Sequence, residues 1–134
     1  MSASRATAHG LALCGALLAA QALHAQDAMD FEAAKAAADA DEASLDAATR
    51  EAAVQQQRAF LDAGVAACAN PATTARLEPF VVVVELDADG HVTRTWRRGD
   101  SPLALCIERQ SRGKAMFVPP RAPFRASLEV GFEP

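Results

Sequence analysis

The run Phe80-Val81-Val82-Val83-Val84-Glu85-Leu86 constrains this chain more than any other. It is the densest cluster of β-branched and aromatic residues. The Asp87-Ala88-Asp89-Gly90 segment that follows ends in an Asp-Gly step, which lets the backbone reverse with φ > 0. His91-Val92-Thr93-Arg94-Thr95-Trp96 resumes the extended pattern, so the whole reads as a β-hairpin. On its first strand Phe80, Val82, Val84 and Leu86 share one face, and Val81, Val83 and Glu85 share the other. Apolar residues on both faces near its start imply an inner strand, or a second surface that another element covers. The second strand, Val92 to Arg98, is polar and reads as an edge. Arg94, Arg97 and Arg98 would discourage indiscriminate pairing along it.

Downstream, Asp100-Ser101-Pro102 marks a helix start: Asp100 or Ser101 caps, and Pro102 occupies a first-turn position where its missing N–H costs nothing. Leu103, Cys106, Ile107 and Gln110 form one face of a short helix that ends near Arg112-Gly113, with Gly113 as a left-handed cap. Phe117 to Pro123 is a proline-stiffened link. The run from Phe124 to Phe132 then alternates, with Phe124, Ala126, Leu128, Val130 and Phe132 facing inward, the clearest period-two pattern in the chain. A right-handed crossover through the helix brings this last strand to the far side of the first, giving a sheet order of second–first–last.

Upstream, Asp27 to about Cys68 is rich in Ala, Glu, Asp, Gln and Arg and contains no proline, which predicts one long helix. Asp46 and Arg50 stand four apart in the favourable acid-first order. Leu61, Val65 and Cys68 follow helical spacing and define a stripe that docks. The first half has only Met29, Phe31 and Leu45 to bury, and between Asp27 and Asp62 nine acids face three bases. That half is expected to be an exposed, mobile acidic arm. Ala34, Ala38, Leu45, Ala48 and Ala52 form a weak alternative seam for self-association. The expected fold class is α+β: a long N-terminal helix, then β-β-α-β, with a small three-stranded antiparallel or mixed sheet covered on one face by helices. Residues 26–58 are assigned to the acidic helix and 59–134 to the folded domain.

The N-terminus reads as a secretory signal over residues 1–25. Arg5 supplies a positive charge, Leu11 to Ala20 an apolar segment too short to span a bilayer, and Ala22 or Ala25 a cleavage point. An uncleaved anchor is the alternative. Removal of Cys14 with the signal leaves Cys68 and Cys106. In an oxidising compartment, an even pair without C-x-x-C spacing reads as a structural disulfide. Two cysteines without a histidine cluster cannot fill a zinc shell, so no metal or other cofactor is expected. The formal net charge of −4 argues against nucleic acid as a partner.

No catalytic constellation stands out. Asp87-Ala88-Asp89-Gly90 resembles the opening of a calcium loop but lacks the distal acids, so it is read as a turn. His91 has no nucleophile at a recognisable spacing. Trp96 beside Arg94, Arg97 and Arg98 could form a stacking platform, or could pack at the sheet margin under arginine stems. The arginines could bind anionic envelope material or the chain's own acidic helix.

Taken together, the apolar strand, Asp-Ala-Asp-Gly, the strand opening at Val92, the Ser-led helix, the Phe-x-Pro-Pro link and the alternating strand ending in Phe132 resemble the C-terminal domain of TonB-type energy transducers. The cysteines, one before the first strand and one inside the helix, look closer still to the related AgmX/PglI-type domain. The resemblance covers about Cys68 to Pro134. It implies a small non-enzymatic α+β domain in which a sheet edge captures a short peptide of another envelope protein. The transducers' transmembrane anchor and long proline-rich spacer have no counterpart here, so energy transduction is not carried over. The expected function is therefore a periplasmic protein that binds another envelope protein, with a self-associating adaptor or an inhibitor acting on envelope material as alternatives. Candidate partner-binding residues are Arg94, Trp96, Arg97 and Arg98 on the second strand and Phe124, Leu128 and Phe132 on the last.

Overall fold

The computed structural model describes residues 29–133; the signal assignment falls outside them. Four helices and a three-stranded antiparallel sheet make up the described chain: α1 (Phe31–Ala43), α2 (Ala47–Cys68), α3 (Pro71–Thr74), β1 (Phe80–Leu86), β2 (Val92–Arg98), α4 (Pro102–Ser111) and β3 (Phe124–Val130). The sheet order is β2-β1-β3, as the crossover logic predicts.

The hairpin forms where the valine run places it. β1 pairs with β2 from Val81–Arg98 to Leu86–Val92, with a bulge at Thr93. Asp87 closes the turn through its carboxylate, which accepts from the backbone N–H groups of Asp89 (3.0 Å) and His91 (2.9 Å). Those bonds, His91 first, hold the Asp87 carboxyl below its ordinary range. Gly90 sits at φ 85°, and a Cβ there would lie 2.3 Å from the Phe117 carbonyl oxygen. Only glycine satisfies both demands.

α4 begins at Ser101, whose hydroxyl accepts from Ala104 N–H at 3.2 Å, with Pro102 in the first turn. Leu103, Ala104, Cys106, Ile107 and Ser111 are its buried residues, whereas Gln110 is exposed, so the inward face is rotated slightly from expectation. The Cys68–Cys106 disulfide is present, with Cα atoms 5.9 Å apart. It joins the end of α2 to the middle of α4. With Phe80, Val82, Val84, Leu86, Ile107, Phe124 and Leu128, it forms the main core on one face of the sheet.

The N-terminal half departs from expectation in two ways. The long helix is two helices, broken at Ser44-Leu45-Asp46. Asp46 is the N-cap of α2, accepting from Thr49 N–H at 2.9 Å, rather than the partner of Arg50. Arg50 instead donates to the carbonyls of Ala43 (3.1 Å) and Leu45 (2.8 Å), placing a cation where the end of α1 leaves acceptors unpaired. Leu45, 6% exposed, is drawn into the main core. The break therefore lets α1 turn back over the sheet.

The second departure is where α1 goes. Ala34 and Ala38 are fully buried against Val83, beside Met29, Phe31, Val81 and Trp96. Helices therefore cover both faces of the sheet, not one; the α1 part of the acidic stretch is docked rather than a free arm, while residues 47–58 at the start of α2 are mostly exposed, as expected. Small alanines allow the close approach, and Val83 explains the two-sided hydrophobicity of β1. The self-association seam is divided: Ala34, Ala38 and Leu45 face the chain's own core, while Ala48 and Ala52 are exposed.

Candidate interaction surface

A three-stranded sheet has two edges, and the structure treats them differently. The alternation of an antiparallel ladder turns the main chain of Arg125 and Ser127 away from β1. Both of these outward N–H groups are bonded to carboxylates of α1. Arg125 N–H donates to Asp41 Oδ2 at 2.8 Å, and Ser127 N–H donates to Glu42 Oε1 at 3.1 Å. Arg121 adds a bond to Asp41 at 2.9 Å, and Lys35 reaches Glu129 at 3.0 Å. The outward N–H groups of Arg125 and Ser127 on the β3 edge are thus taken up by side chains from elsewhere in the chain.

The edge of β2 is different. Its first residue, Val92, is bonded outward by the main chain of Gly113 and Lys114, each at 2.9 Å. Past the bulge, Arg94 and Trp96 turn their main chain toward β1, and Thr95 and Arg97 turn theirs outward. Among the described residues, no hydrogen bond reaches the outward N–H and C=O groups of Thr95 and Arg97.

A polar cluster stands over this open stretch. Arg97 Nε donates to Glu108 Oε2 at 2.9 Å, Thr95 Oγ1 to Glu108 Oε1 at 3.0 Å, and Arg112 Nη2 to the same oxygen at 3.2 Å. Burial alone would raise the Glu108 carboxyl. The bonds from Arg97 and Thr95 and the charges of Arg112 and Arg97 outweigh it, and its pKa lies below the ordinary value. Glu108 is therefore a charged anchor that fixes the side chains flanking the open edge.

The sequence-predicted residues divide by face. Arg94, Trp96 and Arg98 lie on the α1 side. Trp96 Nε1–H donates to the Met29 carbonyl at 2.8 Å, and the Arg94 guanidinium lies 4.8 Å from its ring centroid. Arg98 stacks on Phe31 at 4.3 Å and pairs with Glu32. Trp96 is thus a margin residue under arginine, and the arginines largely serve the chain's own acids. Arg97 alone of the four lies over the α4 side.

Phe124 and Leu128 are corrected outright. They are 0% and 3% exposed in the main core, because the apolar phase of β3 faces α2 and α4 and cannot meet a partner. Phe132 lies past the strand end, partly buried against that core. Thr95, Glu108, Asp41 and Glu42 went unrecognised in the sequence. Nothing local separates Asp41 and Glu42 from the other acids of α1.

His91 is exposed beside Asp87. A half-open groove of about 430 Å³ between α2 and α4 is lined by Phe60, Leu61, Gly64, Ile107 and Met116, with Lys114 as its one ionisable side chain. No group of three metal-ligating side chains comes together among the described residues. No described helix is long and apolar enough to cross a membrane. Comparison with protein-family models, with curated proteins and with solved structures returned no match to this chain.

Proposed function

We propose that this chain is an exported, non-enzymatic binding domain of the TonB C-terminal-like type, which takes up an extended segment of another envelope protein along the edge of β2. The observation that carries the reading is the contrast between the edges: the outward N–H groups of Arg125 and Ser127 on β3 are occupied by Asp41 and Glu42, while those of Thr95 and Arg97 on β2 have no hydrogen-bond partner among the described residues. A partner strand there would gain main-chain hydrogen bonds, and the Arg97–Glu108–Arg112 cluster would select among its side chains. The disulfide suits an oxidising compartment such as the periplasm. The helix-strand-strand-helix-strand order and the central β1 support the family resemblance.

The test is Thr95→Pro in the mature chain. The substituted N–H faces outward, so proline removes a donor for a partner strand without breaking the β1–β2 ladder. Capture of the envelope partner should be lost while the disulfide and the sheet remain intact. A folded variant that still captures the same partner with undiminished affinity removes strand pairing at β2 from consideration.

A further inference from the structure

The disulfide pins the end of α2 against the middle of α4. One turn earlier Gly64 keeps the two helices in contact, since a Cβ there would lie 3.3 Å from Ile107 Cδ1. Toward the start of α2 the side chains on the same face are Ala63 and Ala59, which are too small to fill the space before α4. A half-open groove of about 430 Å³ is left between the helices. That volume falls within the roughly 300–1,000 Å³ of small-molecule sites. Its larger walls are Phe60, Leu61, Ile107 and Met116, all apolar, and the thioether of Met116 adapts readily to an occupant's shape.

The walls decide what chemistry fits. Main-chain groups of α2 and α4 are spent inside their own helices, and the Ser111 hydroxyl donates to the Ile107 carbonyl at 2.7 Å. A peptide laid here would bring one N–H and one C=O per residue to surfaces that return few partners. An unbranched alkyl chain brings none. Charge marks one end of the groove. No carboxylate lines it, although the chain carries a net charge of −4. Lys114, just past the end of α4, is its single cation. Its main chain is fixed on both sides: Val92 N–H donates to the Lys114 carbonyl at 2.9 Å, and Lys114 N–H donates to the Ser111 carbonyl at 3.2 Å. The Lys114 ammonium has no ion-pair partner among the described residues.

We propose that the groove between α2 and α4 binds a free single-chain fatty carboxylate, with the alkyl chain along Phe60, Ile107 and Met116 and the carboxylate at Lys114. Gln56 and Gln110 are the amide donors of the lining. Occupancy adds apolar contact where Phe60, Leu61 and Val65 leave α2 only partly buried, so the ligand stabilises the fold by mass action. The site shares no residue with Thr95, Arg97, Glu108 and Arg112 at the β2 edge and is independent of strand capture there.

The test titrates octanoate, decanoate and dodecanoate, each below its micelle concentration, into the oxidised wild-type chain and follows the amides by heteronuclear NMR. Shifts should saturate at Ala59, Ala63, Ile107 and Met116 while Thr95 and Arg97 stay in place. Each pair of added methylenes should tighten binding by about tenfold. Lys114→Met, or dodecyltrimethylammonium in place of dodecanoate, should weaken it by roughly three- to fivefold or more, the range for an exposed ion pair. Ala63→Phe, at an exposed position of α2, should fill the groove and abolish binding. The proposal is overturned by shifts that do not saturate, by affinity indifferent to chain length or to head-group charge, by a folded Ala63→Phe chain that binds as wild type, or by binding to phosphatidylglycerol vesicles without binding to monomeric dodecanoate. Should Ala63→Phe not fold, the chain-length and head-group series on the wild-type chain decides alone.

Discussion

Removing the Cys68–Cys106 bridge, by the paired change Cys68→Ala and Cys106→Ala, should cost this protein a large part of its stability. The bridge closes a loop of 38 residues. Constraining a loop of that length in the unfolded chain is worth about 4 kcal/mol in the chain-entropy model. The native state offers little to offset its loss. α2 rests on the core through Phe60, Leu61 and Val65, which are only partly buried, so no broad apolar interface holds the helix when the tether is gone. Against a typical total of about 5–15 kcal/mol for a small domain, the loss is severe. At roughly 4–8 °C per kcal/mol for this size, the melting temperature should drop by about 15–30 °C. Urea unfolding of the oxidised chain and the double variant, followed by far-ultraviolet circular dichroism, measures the difference directly. A midpoint shift worth less than about 1 kcal/mol would falsify the reasoning, because it would mean that the unfolded chain is already restricted between these residues or that α2 is held by other contacts.

Gly90→Ala should destabilise by about 2–3 kcal/mol, since it combines a positive φ with a clash on the Phe117 carbonyl; thermal melts check this, and a loss below half of the lower figure would contradict it. Glu108→Gln removes the charge that Arg97 and Arg112 share and should cost about 1–2 kcal/mol near neutral pH. Because the Glu108 pKa is depressed on folding, its contribution is present above the unfolded value of 4.5 and is lost as pH falls through the folded value, so the wild-type and variant denaturation curves should converge in acid. Glu42 has the opposite sign. Its folded pKa is raised, so the stability it favours is present below 4.5 and is lost as pH rises through the folded value. Glu42→Gln, which retains an acceptor for Ser127 N–H, should therefore be neutral or stabilising near pH 7 and lose that advantage in acid; a clear loss of stability at neutral pH would show that the charge itself holds α1.

Much of this architecture was legible in the chain because its causes are local. The valine run and Asp-Gly step specify the hairpin, Ser101-Pro102 and Gly113 bracket α4, and the alternation from Phe124 marks β3. Each depends on residues within a few positions of one another. The sheet order followed from connection rules, and the pairing of Cys68 with Cys106 from parity and compartment. The same alternation turns the apolar face of β3 inward, as Phe124, Ala126 and Leu128 show, which is at odds with naming two of those residues as partner contacts. Phe124 and Leu128 were expected at a partner surface, and they lie in the core.

The decisions at the N-terminal half belong to the tertiary structure. Helix propensity alone runs from Asp27 to Cys68 without interruption, since neither Ser44 nor Asp46 is a strong breaker. The chain turns there because burying Leu45 in one core and Ala34 and Ala38 under Val83 gains more than continuing the helix into water. The bonding of Asp41 and Glu42 to the β3 edge spans more than eighty residues of sequence. A carboxylate that caps a distant N–H has the same local surroundings as one that faces solvent, so only the folded chain distinguishes them. The sequence determined the hairpin, α4 and β3; tertiary packing decided where the N-terminal helix breaks and which carboxylates of α1 meet the β3 edge.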